Sequence, residues 1–358
     1  MAYRVVQWAT GNLGRAAIEG IVSHPELELV GVWVHGVAKV GRDAGEIAGI
    51  GPVGVTATGD LETILALGAD CVLYAPLLAT EDEVVRLLAS GANVVTPLNW
   101  FYPKRLDVAR LEAACAQGRA TLHGTGIHPG GMTEHLPLVL SAYARAVTHV
   151  RAEEFSDIRT YGAADVIRDI MLFGRTPDEA LRSPLVQFLS LGFWQSIDLV
   201  ADALGMTLDA EKRVRHEVAA ATAPIESPIG TIAPGHVAGQ RFTWEGTVGG
   251  EAVITARVNW LMGDAHLDQP WSLGPRGGCY EIEVTGDPPV KATLHGIHPE
   301  RSSSLAAALR RNPGMVATAN HCVASIPAVC AAPPGIRTYL DLPLVTGRAA
   351  PGLRRRGR

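Results

Sequence analysis

The chain has 358 residues, 47% of them hydrophobic and 19% charged, with a net charge of −5. This is too long for one ordinary domain and apolar enough for a large core, and it lacks the basic excess of a protein that grips nucleic acid or an anionic membrane surface. Cys71, Cys115, Cys279, Cys322 and Cys330 form no CxxC pair, so neither a disulfide framework nor a zinc site is expected, and the thiols read as free in a reducing cytoplasm.

Met1-Ala2-Tyr3-Arg4 leads straight into an apolar run, which reads as a chain without a signal peptide; no stretch of ~18 residues is apolar without interruption, so no membrane span is expected. Short apolar runs then alternate with helical patterns up to Gly124. Strands are predicted at 4–8, 27–34, 70–74, 93–96 and 120–124. Helices are predicted at 13–23, at 60–67 behind a Thr58 or Asp60 cap, at 80–90 behind a Thr80–Glu83 capping box, and at 103–117 with Pro103 in the first turn. With right-handed crossovers this order gives a Rossmann-type doubly wound parallel sheet, whose ligands sit at the carboxyl ends of the strands. The loops after Trp8, Tyr74, Thr96 and Gly124 are therefore expected to line one crevice.

The stretch Ala9-Thr10-Gly11-Asn12-Leu13-Gly14-Arg15 follows the first strand and opens the first helix. It matches G-x-G-x-x-G with alanine at the first glycine. Gly11 lets a backbone approach a pyrophosphate, Gly14 permits close helix–strand packing, and the helix N-terminus offers free N–H groups. The second strand ends Val34-His35-Gly36 with no carboxylate for a ribose 2′-hydroxyl, while Lys39 and Arg42 follow closely. Two cations there favour NADP(H), with NAD(H) possible if they are only solvated loop charges. His35 and Pro76, which ends the 70–74 strand, complete the expected cofactor contacts.

After Gly124 comes Thr125-Gly126-Ile127-His128-Pro129-Gly130-Gly131, a loop placed to meet the nicotinamide end, with a helix beginning near Thr133. A strand at 147–155, helices at 163–173 and over much of 185–221, and strands at 240–244, 252–260 and 279–284 follow. They predict an α+β domain with an open, largely antiparallel sheet. A helix at 314–332 is expected to return to the Rossmann unit. The expected division is a dinucleotide-binding domain at 1–130, a substrate and dimerisation domain at 131–312, a returning segment at 313–346 and a flexible basic tail at 347–358. The open sheet needs a covered outer face, so a homodimer is expected.

Four segments together resemble the dihydrodipicolinate reductase-like family, in its branch of 2,4-diaminopentanoate dehydrogenases and native amine dehydrogenases: residues 9–15, 39–46, 93–103 and 124–130. The likeness extends to Ile326-Pro-Ala-Val329 and Pro334-Gly-Ile336. It implies reversible conversion of a small amine to a carbonyl and ammonia, with NAD(P) as the two-electron partner. In that branch a glutamate follows the fifth strand, where this chain has Asn99, and an asparagine usually stands where this chain has His128. Asparagine orients but does not titrate; histidine titrates near neutrality and could supply acid–base function or hold the carboxamide. Asn99, His128 and Glu154 are the catalytic candidates, with Asn99 and His128 also facing the cofactor. Glu154 or Asp157 could replace the missing glutamate, and Asp157, Arg159, Tyr161 and His266 are the candidate substrate contacts. Metal catalysis lacks close ligand spacing. The competing readings are an NADPH-dependent carbonyl or imine reductase without an ammonia requirement, and a nucleotide-binding protein without catalysis.

Overall fold

The computed structural model describes residues 2–274, 277–295 and 312–353. Two compact units share the chain: residues 1–126 with 315–358, and residues 127–314.

In the first unit, β1 (Tyr3–Trp8), α1 (Asn12–Ser23), β2 (Leu27–Trp33), α2 (Ala44–Ala48), β3 (Ala57–Thr58), α3 (Leu61–Ala66), β4 (Cys71–Tyr74), α4 (Glu81–Ala89), β5 (Asn93–Thr96), α5 (Ala109–Gly118) and β6 (Thr121–Gly124) alternate as expected. The sheet has seven parallel strands, in the order Gly335–Ile336, β6, β5, β4, β1, β2, β3. The strand Gly335–Ile336 pairs with β6 at the edge. Helix Pro313–Ala331 lays Ala319, Cys322, Val323, Ile326 and Val329 into the core formed by Ile18, Ile21, Val5 and Val32. By length and hydropathy alone that helix could cross a membrane, but Thr318, Asn320, His321 and Ser325 interrupt its apolar run and one of its faces packs into the core.

Two local expectations differ from the structure, and the choice of cap for α3 is settled in favour of Asp60. Thr80 starts α4 without a side-chain cap: its N–H instead donates to the Tyr74 hydroxyl, 3.0 Å, which also bonds Glu83. Residues 103–108 are turns, and α5 begins at Ala109, whose N–H reaches Asp107 Oδ1 at 3.1 Å. Asp60 alone caps α3, accepting from the N–H groups of Glu62 and Thr63.

The second unit is built on a six-stranded sheet, preceded by α6 (Leu136–Ser141). Its strands β7 (Arg145–Asp157), β8 (Arg213–Ala220), β11 (Val237–Val248), β12 (Glu251–Leu261), β13 (Cys279–Asp287) and β14 (Val290–Leu294) lie in the order β14, β13, β7, β12, β11, β8. The short pair β9 (Ile225–Ser227) and β10 (Gly230–Ile232) stands apart. Every pairing in the large sheet is antiparallel except β7 with β12. Helices α7 (Pro177–Arg182) and α8 (Leu185–Leu204) follow β7. The helix expected at 163–173 is a π-type turn, Val166–Ile170, and the helix expected toward 221 ends at Gly205 in a left-handed cap. Residues 213–220 are strand because Arg213, Arg215 and Glu217 alternate with Val214, His216 and Val218.

Candidate active site

The phosphate loop is shaped by its sequence. Gly11 ends the loop as the N-cap of α1, whose first turn has neither a side-chain cap nor an acidic residue, so its N–H groups are available to an anion. A side chain added at Gly11 would meet nothing within 4 Å, whereas a Cβ at Gly14 would lie 2.2 Å from the Ala9 carbonyl oxygen. Gly11 therefore leaves an open cradle and Gly14 closes helix onto strand. Ala9 adopts φ 71°, the left-handed conformation that glycine takes at no cost and alanine at about 1–2 kcal/mol. Buried Gln7 secures the strained turn, its Nε2 donating to the carbonyls of Trp8 and Ala9 at 3.0 Å each. Leu13 packs on the core beneath, and Arg15 reaches back to the Asn12 side chain.

Lys39, on the turn Val37–Lys39, donates through Nζ to both the carbonyl and the hydroxyl of Thr10 at 3.1 Å. Burial lowers its pKa, and the neighbouring charges of Arg15 and Arg42 lower it further. Three cations thus converge beside the loop, and among the described residues none of them is ion-paired to a carboxylate. An anion is what this cluster lacks. His35 is exposed beside Trp33, which stacks on Trp8 at 4.4 Å. Pro76 follows β4, where the Ala75 N–H bonds the Trp8 carbonyl at 3.2 Å. Asn99 is half-buried, and its backbone oxygen lies so close to Gly124 that a Cβ there would come within 2.4 Å of it. The ends of β5 and β6 are thereby fixed against each other. These features fit a dinucleotide diphosphate.

In the second unit, strand register sets Val258, Glu154 and Tyr280 side by side, with Trp260 and Ser156 as the next pair. Glu154 Oε1 accepts from Ser156 Oγ at 2.6 Å and Trp260 Nε1 at 3.1 Å; burial raises its pKa, opposed by those two hydrogen bonds. The Glu154 charge also adds to burial in raising the pKa values of Tyr161 and Tyr280. His128 lies edge-on to Phe193 at 5.0 Å and 6.0 Å from Tyr280, with Nε2 3.2 Å from the Arg257 carbonyl. The sequence reading of a histidine titrating near neutrality is corrected here. Burial lowers its pKa to about 3, against the smaller opposing effect of the Arg257 carbonyl, so the ring is neutral at pH 7. Nε2 carries the proton toward that carbonyl, and Nδ1 is a buried acceptor to which no donor is bonded among the described residues.

Asp157 is held by Arg159 through a two-pronged ion pair, with Nε–Oδ1 at 2.9 Å and a second nitrogen to Oδ2 at 2.6 Å. His266 sits exposed on a turn at φ 62°, its carbonyl tied to the Thr222 N–H; among the described residues no ring contact or hydrogen bond joins it to the Glu154 cluster. Glu134, which the sequence reading passed over, is fully buried on the turn Gly131–His135. Its Oε1 accepts from Ser196 Oγ of α8 at 2.7 Å, its Oε2 has no hydrogen-bond partner among the described residues, and burial raises its pKa to about 8. A lone glutamate in Gly-Met-Thr-Glu-His carries no local signal of burial; the helix that covers it lies some sixty positions downstream.

A parallel Rossmann sheet with an uncapped, glycine-opened phosphate loop defines an NAD(P)-dependent dehydrogenase. Residues 132–352 match the 2,4-diaminopentanoate dehydrogenase C-terminal domain, and residues 5–95 match the dihydrodipicolinate reductase N-terminus. The chain belongs to the 2,4-diaminopentanoate dehydrogenase family, with a dihydrodipicolinate reductase-like N-terminal domain. It is 30% identical over 354 residues to an amine dehydrogenase from Streptomyces virginiae, covering 95% of this chain and 96% of that one. It is 24% identical over 362 residues to the 2,4-diaminopentanoate dehydrogenase of Acetoanaerobium sticklandii, covering 95% and 93%. The solved amine dehydrogenase of Mycobacterium smegmatis has the same fold, with a TM-score of 0.78 at 22% identity over 97% of this chain and 98% of that one.

Proposed function

We propose that the protein interconverts a small primary amine with its ketone or aldehyde and ammonia, using NADP(H) in preference to NAD(H), in the cytoplasm. The observation that carries this reading is the end-to-end likeness to an amine dehydrogenase. The bound cofactor supplies the two-electron exchange with the substrate carbon. The first unit holds it: backbone amides at residues 11–14 take the diphosphate, and Lys39 and Arg42 take the 2′-phosphate. His128, neutral and with no donor to Nδ1 among the described residues, accepts an N–H from the amine or iminium. Glu154, desolvated and hydrogen-bonded, compensates the iminium charge. Asn99, in the first unit, hydrogen-bonds without titrating, so no proton transfer is assigned to it.

The expected assay result is NADPH oxidation with cyclohexanone or short aldehydes only when ammonia is present at high concentration. Equal turnover without ammonia would make the protein a carbonyl reductase, and tight NADPH binding without any turnover would make it a binding protein.

The residues of the large sheet that alternate with the Glu154 face support a homodimer. Arg151 pairs with Glu153 and, at 2.7 Å, with Glu283, while Arg257 pairs with Glu153 at 3.5 Å and Lys291 with Glu281 at 3.1 Å. Interspersed charges of both signs are self-complementary about a two-fold axis. Light scattering on a size-exclusion column is expected to give twice the 37.9 kDa chain mass. A monomer at micromolar concentration would remove the proposal.

A further inference from the structure

We infer that Cys71 and Cys330 form a reversible disulfide when the protein meets a peroxide, a covalent latch between β4 and the returning helix Pro313–Ala331. The inference concerns the first unit alone and is independent of the amine reading. Both side chains belong to the core of Val5, Ile18 and Val329, where Cys71 is fully buried and Cys330 half-buried. The Cys71 thiol hydrogen-bonds the Cys330 side chain. Cys330 Sγ also stands 3.9 Å from the carbonyl oxygen of Asp70, the residue before Cys71 and 260 positions away in sequence. That oxygen already accepts from the Asn93 N–H at 3.0 Å and from Asn93 Nδ2 at 2.7 Å, so it holds the Cys330 thiol weakly.

The two sides of the contact differ in freedom and in access. Cys71 opens β4 and is paired with Val5 of β1 on one side and Asn93 of β5 on the other, so its backbone is fixed. Cys330 is the last residue but one of its helix, in a turn that no later helical turn braces. Closing the sulfurs to about 2 Å, the length of a disulfide, therefore falls to the helix end. Of the five cysteines, only Cys330 is not fully buried, so an oxidant from solvent meets it first. Burial, and then the bond to Cys330, raises the Cys71 pKa well above the ordinary thiol value. Cys71 thus stays a thiol, shielded from direct oxidation and placed to resolve a neighbour that has been oxidised.

The chemistry balances in two steps. The Cys330 sulfur attacks one peroxide oxygen, the O–O bond breaks, and the other oxygen leaves with the thiol proton as water or an alcohol. Cys330 is then a sulfenic acid. The Cys71 sulfur displaces the hydroxyl from the Cys330 sulfur, and the Cys71 proton leaves with it as water. The two thiols lose two electrons and the peroxide gains two. The chain leaves the first unit after residue 126 and re-enters it at 315, and the bridge closes that excursion covalently, which constrains the unfolded chain. Cys71 stands at the amino end of β4, about 10 Å along the strand from Tyr74 and the turn carrying Pro76, so cofactor affinity is not altered.

The test treats the full chain with hydrogen peroxide, alkylates the remaining thiols in denaturant and maps the peptides without reductant. The expected result is a linked Cys71–Cys330 peptide, an intact mass lower by two hydrogen atoms, and recovery of both thiols with dithiothreitol. The oxidised protein is expected to melt about 5 °C above the reduced one, a gain absent in Cys330→Ser. Cys71→Ala removes the resolving thiol, and under the same treatment its Cys330 is expected to advance to the sulfinic acid, two oxygens heavier. Wild-type protein whose Cys330 becomes sulfinic while Cys71 stays alkylatable would overturn the latch. So would a disulfide joining a different pair, both thiols surviving peroxide unchanged, or a Cys71–Cys330 bridge that leaves Tm where it was.

Discussion

An enzyme carrying Lys39→Ala and Arg42→Ala is expected to bind NADPH about 100-fold more weakly, while its affinity for NADH changes by less than about fivefold. The asymmetry follows from where each group stands. The diphosphate is common to both cofactors, and on the proposed reading it meets backbone amides at the start of α1, where no side-chain cap competes. The 2′-phosphate occurs in only one, and Lys39, Arg42 and Arg15 are the cations whose charges already repel one another there. Removing two of them takes away two charge-assisted contacts, each of about 1.5–3 kcal/mol. Some common loss is expected, because Lys39 also braces the Thr10 carbonyl and hydroxyl. The control is Gly14→Ala, whose Cβ would collide with the Ala9 carbonyl at 2.2 Å; it should lose both cofactors together. Titration calorimetry with each nucleotide decides the matter. Equal losses for NADPH and NADH in the double variant would remove the 2′-phosphate assignment.

The loop behind that experiment was readable in the sequence because its chemistry is local. Strand, turn and helix follow one another within residues 3–23, and the change from period two to period 3.6 marks each boundary. Pro103 misled the reading of the following helix. Proline at a first turn and proline in a preceding turn carry the same local signature, and the Asp107 that accepts from the Ala109 N–H stands four residues later. Strand β8 was hidden for another reason. One of its faces carries Arg213, Arg215 and Glu217, so its alternation is of charge rather than hydrophobicity. The residues least visible were those fixed by distant partners. Cys330 meets the Asp70 carbonyl across 260 positions, and Glu134 is enclosed by Ser196 at 62. Burial of that kind comes from tertiary packing, which no window of sequence contains.

Glu134 gives the second large effect. With a pKa of about 8 in the folded chain, its carboxyl keeps a proton that the unfolded chain, at the ordinary value of 4.5, has already released. Below pH 4.5 both states are protonated and the residue contributes its full stability. As pH rises, the unfolded state gains by ionising while the folded state does not, so stability falls by about 1.4 kcal/mol per pH unit up to about pH 8. The accumulated loss is on the order of 4 kcal/mol. Glu134→Gln keeps an oxygen to accept from Ser196 and removes the titration. The variant is expected to melt within about 2 °C of the wild type at pH 5 and about 8 °C or more above it at pH 8. His128 acts from the other side: its pKa falls from 6.5 to about 3 on folding, so its share of stability is complete above pH 6.5 and drains away as pH drops toward 3. That slope is common to wild type and Glu134→Gln and cancels in the difference between them. Melting curves from pH 5 to pH 8.5 give the comparison directly. A Tm difference that does not grow with pH would mean that Glu134 is ionised in the folded protein, with its unpartnered oxygen solvated rather than enclosed.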